Sequence, residues 1–108
     1  SENDSSLLAI GMKLYDNRKF EEAKSGLEIF VEKNGTNEEF QDLSLYLANC
    51  NLFKTDKNIQ EAISILEDLY PKSSSLIKHE VEWYLAFSYI QNKSFNKSFI
   101  KVIKLLID

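Results

Sequence analysis

Glycine and proline are scarce in this chain, which has three Gly and one Pro among its 108 residues. Both residue types interrupt regular secondary structure, so their scarcity favours long elements joined by short turns. Apolar residues recur at helical spacing, as at Leu7, Ile10 and Leu14, whereas the sustained alternation that is typical of a half-buried strand does not occur. The sequence therefore predicts an all-α protein.

The residue types that bind metals and phosphates are also nearly absent. The chain has one Cys, one His and one Arg, and its net charge is −4. A single Cys cannot form an internal disulfide, and with a single His it cannot form a structural zinc site. A glycine-rich phosphate loop and a basic surface are both missing from the sequence. We expect no metal, no cofactor, no small-molecule substrate and no nucleic-acid partner.

Turn and cap residues divide the chain into six helices. The divisions fall at residues 16–19, 34–37, 54–58, 71–75 and 92–94. Asn34-Gly35 is a typical helix stop, and Thr36 or Asn37 is a suitable N-cap for the helix that follows. The helices group into three hairpins, over residues 5–34, 37–71 and 75–107.

Small and large residues repeat from one hairpin to the next. A small residue is followed by a large one at +9 and a small one at +12 in two hairpins, at Gly11, Phe20, Ala23 and at Ala86, Phe95, Ser98. The middle hairpin has the same order at +11 and +14, at Ala48, Ile59 and Ala62. Successive repeats lie 37 and 38 residues apart, from Gly11 to Ala48 to Ala86. Small residues let paired helices approach closely, and a hairpin that cannot bury its own apolar face stacks on its neighbour.

This spacing resembles that of the tetratricopeptide repeat (TPR) family, from about Leu7 to Leu106. The resemblance implies one domain over residues 1–108, folded as an α–α superhelix of three hairpins, and a non-enzymatic function in binding a protein or peptide. In this family the first helix of each hairpin lines a concave groove. The matching groove residues are Leu8, Met12, Tyr15, Leu45, Asn49, Phe53, Trp83, Phe87 and Ile90.

Two interpretations of these groove residues remain open. Their apolar character is typical of a groove for an amphipathic helix or an extended segment, with Trp83 as an anchor worth about 2 kcal/mol. Aromatic residues at helical spacing are also typical of the core of a small domain.

The source and location of the protein rest on a second resemblance. The segment from Glu80 to Leu106 is similar to the final repeat in TPR-like domains of bacterial envelope proteins. We expect a bacterial protein, located in the cytoplasm or in the soluble part of an envelope protein. No apolar run reaches the roughly 18–20 residues that span a bilayer. Because the chain begins at Ser1 with the polar segment SENDSS, we interpret it as part of a longer protein, which would reach a membrane only through other segments.

The sixth helix carries a second apolar stripe. Its predicted inward face consists of Phe95, Phe99, Val102 and Leu106, and the stripe beside it consists of Ile100, Ile103 and Ile107. Exposed apolar stripes mark interfaces, so the alternative function is self-assembly, as a homodimer or by docking, through Phe99, Ile100, Ile103 and Ile107. A stripe half-buried against the fifth helix, or a membrane-surface helix flanked by Lys97, Lys101 and Lys104, would also fit this pattern.

Catalysis is a third hypothesis, in which a small hydrolase would use Cys50 or His79. Cys50 lies in mid-helix without the basic neighbour that lowers a thiol pKa, so we expect a buried apolar residue. His79 has no nucleophile at a recognisable spacing, so we expect an exposed surface residue. Three groups of carboxylates are interpreted as charged helix starts: Glu21-Glu22, Glu38-Glu39 and Glu80 with Glu82.

Overall fold

The structure, a computed structural model, describes residues 2–34 and 37–107, with side chains at 6–34, 37 and 39–107. These residues contain no β-strand and form six α-helices: α1 (Glu2–Asp16), α2 (Phe20–Asn34), α3 (Gln41–Phe53), α4 (Ile59–Leu69), α5 (Ser75–Gln91) and α6 (Lys97–Ile107). Short 3-10 helices at Glu38–Phe40 and Tyr70–Lys72 precede α3 and follow α4. The predicted all-α fold with six helices is confirmed.

The helices pack as three hairpins that stack in chain order. α1 pairs with α2, α3 with α4 and α5 with α6, and each of α2 and α4 also packs against the first helix of the next hairpin. The first helices contact one another as well: α3 contacts α5, and Asn49 of α3 donates a hydrogen bond to the Tyr15 hydroxyl of α1 at 3.1 Å. The stack therefore brings α1, α3 and α5 together.

Asparagine side chains fix two of the helix starts. Asn58 caps α4: its Oδ1 accepts from the Glu61 backbone N–H at 3.2 Å, and its Nδ2 donates to Glu61 Oε2 at 3.0 Å. Asn37 Oδ1 accepts from the Glu39 backbone N–H at 3.0 Å, which caps the 3-10 helix, so that α3 begins later than predicted. The predicted stop at Gly35 and the alternative cap at Thr36 lie outside the described residues.

The first helices of hairpins one and three end in the same way, with a non-glycine residue in the left-handed conformation. Arg18 has φ 61° and Lys93 has φ 56°. The backbone N–H one residue later donates back into the helix, from Lys19 to Leu14 and from Ser94 to Tyr89, at 2.8 Å in both cases. Glycine is the usual residue at this position, since a side chain there costs about 1 kcal/mol.

The closest approach between α1 and α2 is at Gly26. A Cβ atom added at Gly26 would lie 3.0 Å from the Leu7 carbonyl oxygen, whereas one added at Gly11 would meet Leu27 N at an ordinary 3.5 Å. Gly11 and the fully buried Ala23 do lie at this contact, as the repeat predicts. The tightest position, Gly26, is a residue that the repeat does not include.

Two apolar clusters hold the stack together. The first joins α2 and α3 around Ala23, Leu27, Leu43, Leu47 and Cys50. The second joins α3, α4, α5 and α6 around Leu45, Ala48, Ile63, Leu66, Leu69, Val81, Leu85, Ala86, Tyr89 and Val102. Full burial of one such Leu or Val contributes roughly 1.5–3 kcal/mol relative to its exposed state. Because each cluster takes side chains from more than one hairpin, the hairpins stabilise one another.

The third hairpin departs from the predicted repeat. α6 begins at Lys97, where Asn96 Oδ1 accepts from the Phe99 backbone N–H at 2.9 Å. Phe95 precedes the helix and is 62% exposed, so the prediction that it packs inward is wrong, and Ser98 is exposed as well. The other three residues of the predicted inward face, Phe99, Val102 and Leu106, do pack in or against the second apolar cluster. The cap at Asn96 delays the start of α6 and thereby leaves Phe95 outside the helix and exposed.

One of the three predicted sets of acidic residues contains a side chain with a different role from the one predicted. Glu21 and Glu22 do lie in the first turn of α2. Glu82, in contrast, lies well inside α5, which begins at Ser75, and it is buried. Its Oε2 accepts from the Tyr70 hydroxyl at 2.8 Å. The prediction that Glu82 belongs to a charged helix start is therefore wrong.

Candidate functional site

Six aromatic rings form one continuous cluster across α1, α2, α3 and α5. We call it the aromatic cluster; it consists of Tyr15, Phe20, Tyr46, Phe53, Tyr84 and Phe87. Tyr15 contacts Tyr46 and Phe20, with ring centroids 4.9 and 5.5 Å apart. Phe53 continues the chain of rings to Phe20 at 5.8 Å, Phe87 at 5.9 Å and Tyr84 at 6.3 Å. Aromatic pairs at these separations stabilise one another beyond the area that they bury.

The ends of the helices explain why these rings meet. Tyr15 lies in the last turn of α1 and Phe53 is the last residue of α3, so both rings lie where the stacked hairpins turn. Phe20 begins α2 directly after the turn. Tyr84 and Phe87 are three residues apart on α5 and therefore lie on one side of that helix. Phe53, at the centre of these contacts, is still 40% exposed.

An open cleft of about 590 Å³ lies on the aromatic cluster. It is lined by Tyr15, Asp16, Arg18, Phe20, Phe53 and Tyr84. A smaller cleft of about 210 Å³ adjoins it and shares Arg18, Phe20 and Phe53. We refer to the larger one as the aromatic cleft. Its floor is apolar and its rim is charged.

The polar groups of the aromatic cleft are suited to directional contacts. Burial raises the pKa of Tyr15, so its hydroxyl is protonated at neutral pH. This hydroxyl accepts a hydrogen bond from Asn49 Nδ2 at 3.1 Å, which leaves its own proton for an acceptor on a ligand. The exposed Arg18 guanidinium offers a planar donor set for carboxylates or backbone carbonyls.

The structure brings together three of the predicted groove residues, Tyr15, Phe53 and Phe87, in the aromatic cluster. Leu8 and Met12 are half-buried and pack against the first apolar cluster. Leu45 and Asn49 are 1% and 2% exposed. Neither side chain reaches the surface, because α5 and α1 cover α3, so we correct their assignment from partner contact to core.

Trp83 and Ile90 lie apart from the aromatic cluster. Both are exposed, and no ring contact joins Trp83 to the six rings among the residues described by the structure. Tyr84 and Phe87 form the side of α5 that contacts Phe53. The predicted groove thus separates into a cleft at the helix ends and a second exposed surface on α5.

Sequence reasoning missed four residues of this site: Phe20, Tyr46, Tyr84 and Arg18. Phe20 was assigned only to the repeat, while Tyr46 and Tyr84 do not match groove positions. Arg18 offered a signal of its own, because it is the only Arg of the chain and follows the turn-forming Asp16-Asn17. A guanidinium at a helix end can donate to carboxylates or backbone carbonyls of a ligand.

The two candidate catalytic residues, Cys50 and His79, lie in different surroundings. Cys50 is fully buried, and burial raises the pKa of its thiol to about 12, so the thiol is neutral at physiological pH. His79 is exposed, and its Nδ1 lies 3.9 Å from Glu82 Oε1, an ion pair only when the imidazole is protonated. Within the described ranges, no group of three or more His, Cys, Asp or Glu side chains is placed to hold a metal ion.

The predicted stripe of α6 is divided between core and surface. Phe99 and Ile103 pack against the second apolar cluster, whereas Ile100 and Ile107 are exposed. In the part of the chain that the structure describes, no helix combines the length and the hydropathy of a membrane span.

Comparison with known proteins leaves the family of this chain open. No family model, no curated protein and no solved structure matches it. The resemblance to the TPR family therefore rests on the repeated residues alone, and it stays a prediction.

Proposed function

We propose that this chain is a TPR-like protein-binding module that takes an apolar segment of a protein partner into the aromatic cleft and catalyses no reaction. The observation that carries the proposal is the half-exposed ring of Phe53, which contacts three other rings of the aromatic cluster and lies beside an open cleft of about 590 Å³. An open cleft that combines exposed aromatic rings with a few polar and charged groups is typical of sites that bind another molecule.

The composition of the cleft favours a peptide segment as the ligand. Rigid aromatic side chains lose little conformational entropy on binding and supply most of the contact area at interfaces. Tyr15 and Arg18 would orient the segment through its backbone carbonyls or a carboxylate. The segment that fits best has one bulky apolar side chain for the floor and an acidic residue for the rim.

A displayed library of random peptides tests this proposal. We expect peptides selected on the wild-type protein to share a bulky apolar residue and to lose binding to the Phe53→Asp variant, which places a charge at the centre of the floor. Leu76→Asp is the matched control, because Leu76 is highly exposed and lies outside the aromatic cluster. Peptides that bind Phe53→Asp as well as they bind the wild type would contradict the proposal.

A further inference from the structure

Trp83 and Ile90 form an exposed surface on α5. The equivalent surface of α3, in the preceding hairpin, is covered. Leu45 and Leu52 of α3 are each 1% exposed, whereas Trp83 and Ile90, which lie 38 residues further along, are 60% and 49% exposed. Leu45 is buried because it shares an apolar cluster with α5 of the next hairpin. Trp83 and Ile90 are exposed because no described hairpin follows the third.

The second helix of the third hairpin adds Leu105 to this surface: Leu105 is 46% exposed, whereas its counterpart in the preceding hairpin, Leu69, is 2% exposed. Ile100 and Ile107 are exposed and lie seven residues apart, on one side of α6. Lys97 and Lys104 have the same spacing and form a parallel basic row. Because Ser64, the counterpart of Ile100, is exposed within the stack, Ile100 and Ile107 lie outside this surface. We call the surface formed by Trp83, Ile90 and Leu105 the C-terminal face.

The opposite end of the stack has the complementary surface. Ile10 is 57% exposed, whereas its counterparts one and two repeats later, Leu47 and Leu85, are 5% and 2% exposed. Leu47 packs with Ala23 and Leu27 of the preceding hairpin, and Leu85 packs in the same way with residues of α4. Ile10 is thus the residue that would insert into a preceding hairpin. With the exposed Leu7 and Ile29, it forms what we call the N-terminal face.

The charges of the two ends are complementary. α6 has three Lys and no acidic residue, whereas α2, at the other end, has four Glu and two Lys. Second helices of successive hairpins already form such a pair within the chain, where Lys24 Nζ of α2 lies 3.3 Å from Glu61 Oε2 of α4. An α2 helix placed beside α6 meets opposite charge, but two α6 helices placed face to face meet like charge.

We propose that the C-terminal face receives the N-terminal face of a second copy of this chain, so that copies stack end to end and continue the hairpin array. The contact is heterologous: each copy uses one face as donor and the other as acceptor. Ile10 of one copy packs beside α6 of the other copy, in the same way that Leu47 packs beside α2 within one chain. This arrangement gives the C-terminal face a defined occupant.

Sedimentation equilibrium of the full chain at increasing concentration tests the proposal. We expect the weight-average mass of the wild type to rise above that of the monomer, and we expect Ile10→Asp and Trp83→Asp each to restore a monomer. A mixture of the two variants is the decisive sample. Trp83→Asp keeps an intact N-terminal face and Ile10→Asp an intact C-terminal face, so the mixture should form a one-to-one dimer that grows no further.

Controls separate this result from unfolding and from a symmetric dimer. The thermal midpoint of each variant should match that of the wild type, since both residues are exposed. Ile100→Asp, which changes an exposed residue on another side of α6, should associate as the wild type does. A monomer at all concentrations would overturn the proposal. Association that is lost in Trp83→Asp, kept in Ile10→Asp and not restored by mixing would overturn it in favour of a symmetric contact.

Discussion

At the scale of single residues, the burial of Cys50 makes the stability of the protein depend on pH. Its thiol is fully enclosed between hairpins one and two, and the pKa is raised from 9.0 to about 12 because burial disfavours the thiolate. Between about pH 9 and about pH 12 the thiol therefore keeps its proton in the native state but loses it in the unfolded chain. This contribution to stability is complete below about pH 9 and is lost as the pH rises towards about 12.

We predict that the free energy of unfolding of the wild type falls by roughly 1.4 kcal/mol more than that of Cys50→Ala between about pH 8 and about pH 10. Urea unfolding followed by circular dichroism at the two pH values measures this difference. The tyrosines ionise in both proteins, so their effect cancels in the comparison. Equal pH dependence of the two proteins would show that Cys50 is ionised in the native state or lies open to solvent.

The helix ends offer a test at the scale of elements. Arg18 and Lys93 both close a helix in the left-handed conformation, yet only Arg18 lines the aromatic cleft. We predict that Arg18→Gly and Lys93→Gly each raise the free energy of unfolding by roughly 0.5–1 kcal/mol, because glycine adopts this conformation without steric cost.

The same pair of variants separates stability from binding. Peptides selected on the wild type should bind Lys93→Gly unchanged but bind Arg18→Gly several-fold more weakly, as measured by fluorescence anisotropy of a labelled peptide. Equal affinity for both variants would remove Arg18 from the binding site while leaving the stability argument intact.

Helix packing provides the next prediction. Gly11→Ala should raise the free energy of unfolding by roughly 0.5–1 kcal/mol, because alanine favours the helix and meets only ordinary contacts there. Gly26→Ala should lower it, because the new methyl group meets the Leu7 carbonyl oxygen at 3.0 Å and this backbone atom cannot move without α1. Thermal unfolding of the two variants checks the opposite signs, and stabilisation by Gly26→Ala would show that α1 shifts freely.

Sequence reasoning succeeded where local chemistry decides the structure. Helical periodicity and cap residues such as Asn58 predict the six helices and most of their ends. The repeat failed at the start of the sixth helix, because Asn96 caps α6 after Phe95 and leaves that ring exposed. Phe99, Val102 and Leu106 face inward as predicted. The spacing of the repeat does not show that a cap residue such as Asn96 lengthens the turn and delays the start of the next helix.

At the scale of the whole molecule, the aromatic cleft exists only because the hairpins stack. Phe53 meets Phe20 on one side and Tyr84 and Phe87 on the other, and these rings come from all three hairpins. The groove positions carried over from the resemblance include Tyr15, Phe53 and Phe87, but they also include Leu45 and Asn49, which are buried. Which side of a helix is covered depends on its rotation against its neighbours, and spacing along the chain does not specify that rotation.

The central claim is that a protein segment binds at the aromatic cleft, and nuclear magnetic resonance tests it most directly. A peptide selected on the wild-type protein would be titrated into isotope-labelled protein, and the shifts of ring and backbone signals followed. We predict that the largest changes occur at Tyr15, Phe20, Phe53 and Tyr84 and that the indole signal of Trp83 stays in place. Changes confined to Trp83, Ile90 and α6 would contradict the account and would transfer the binding site to the C-terminal face.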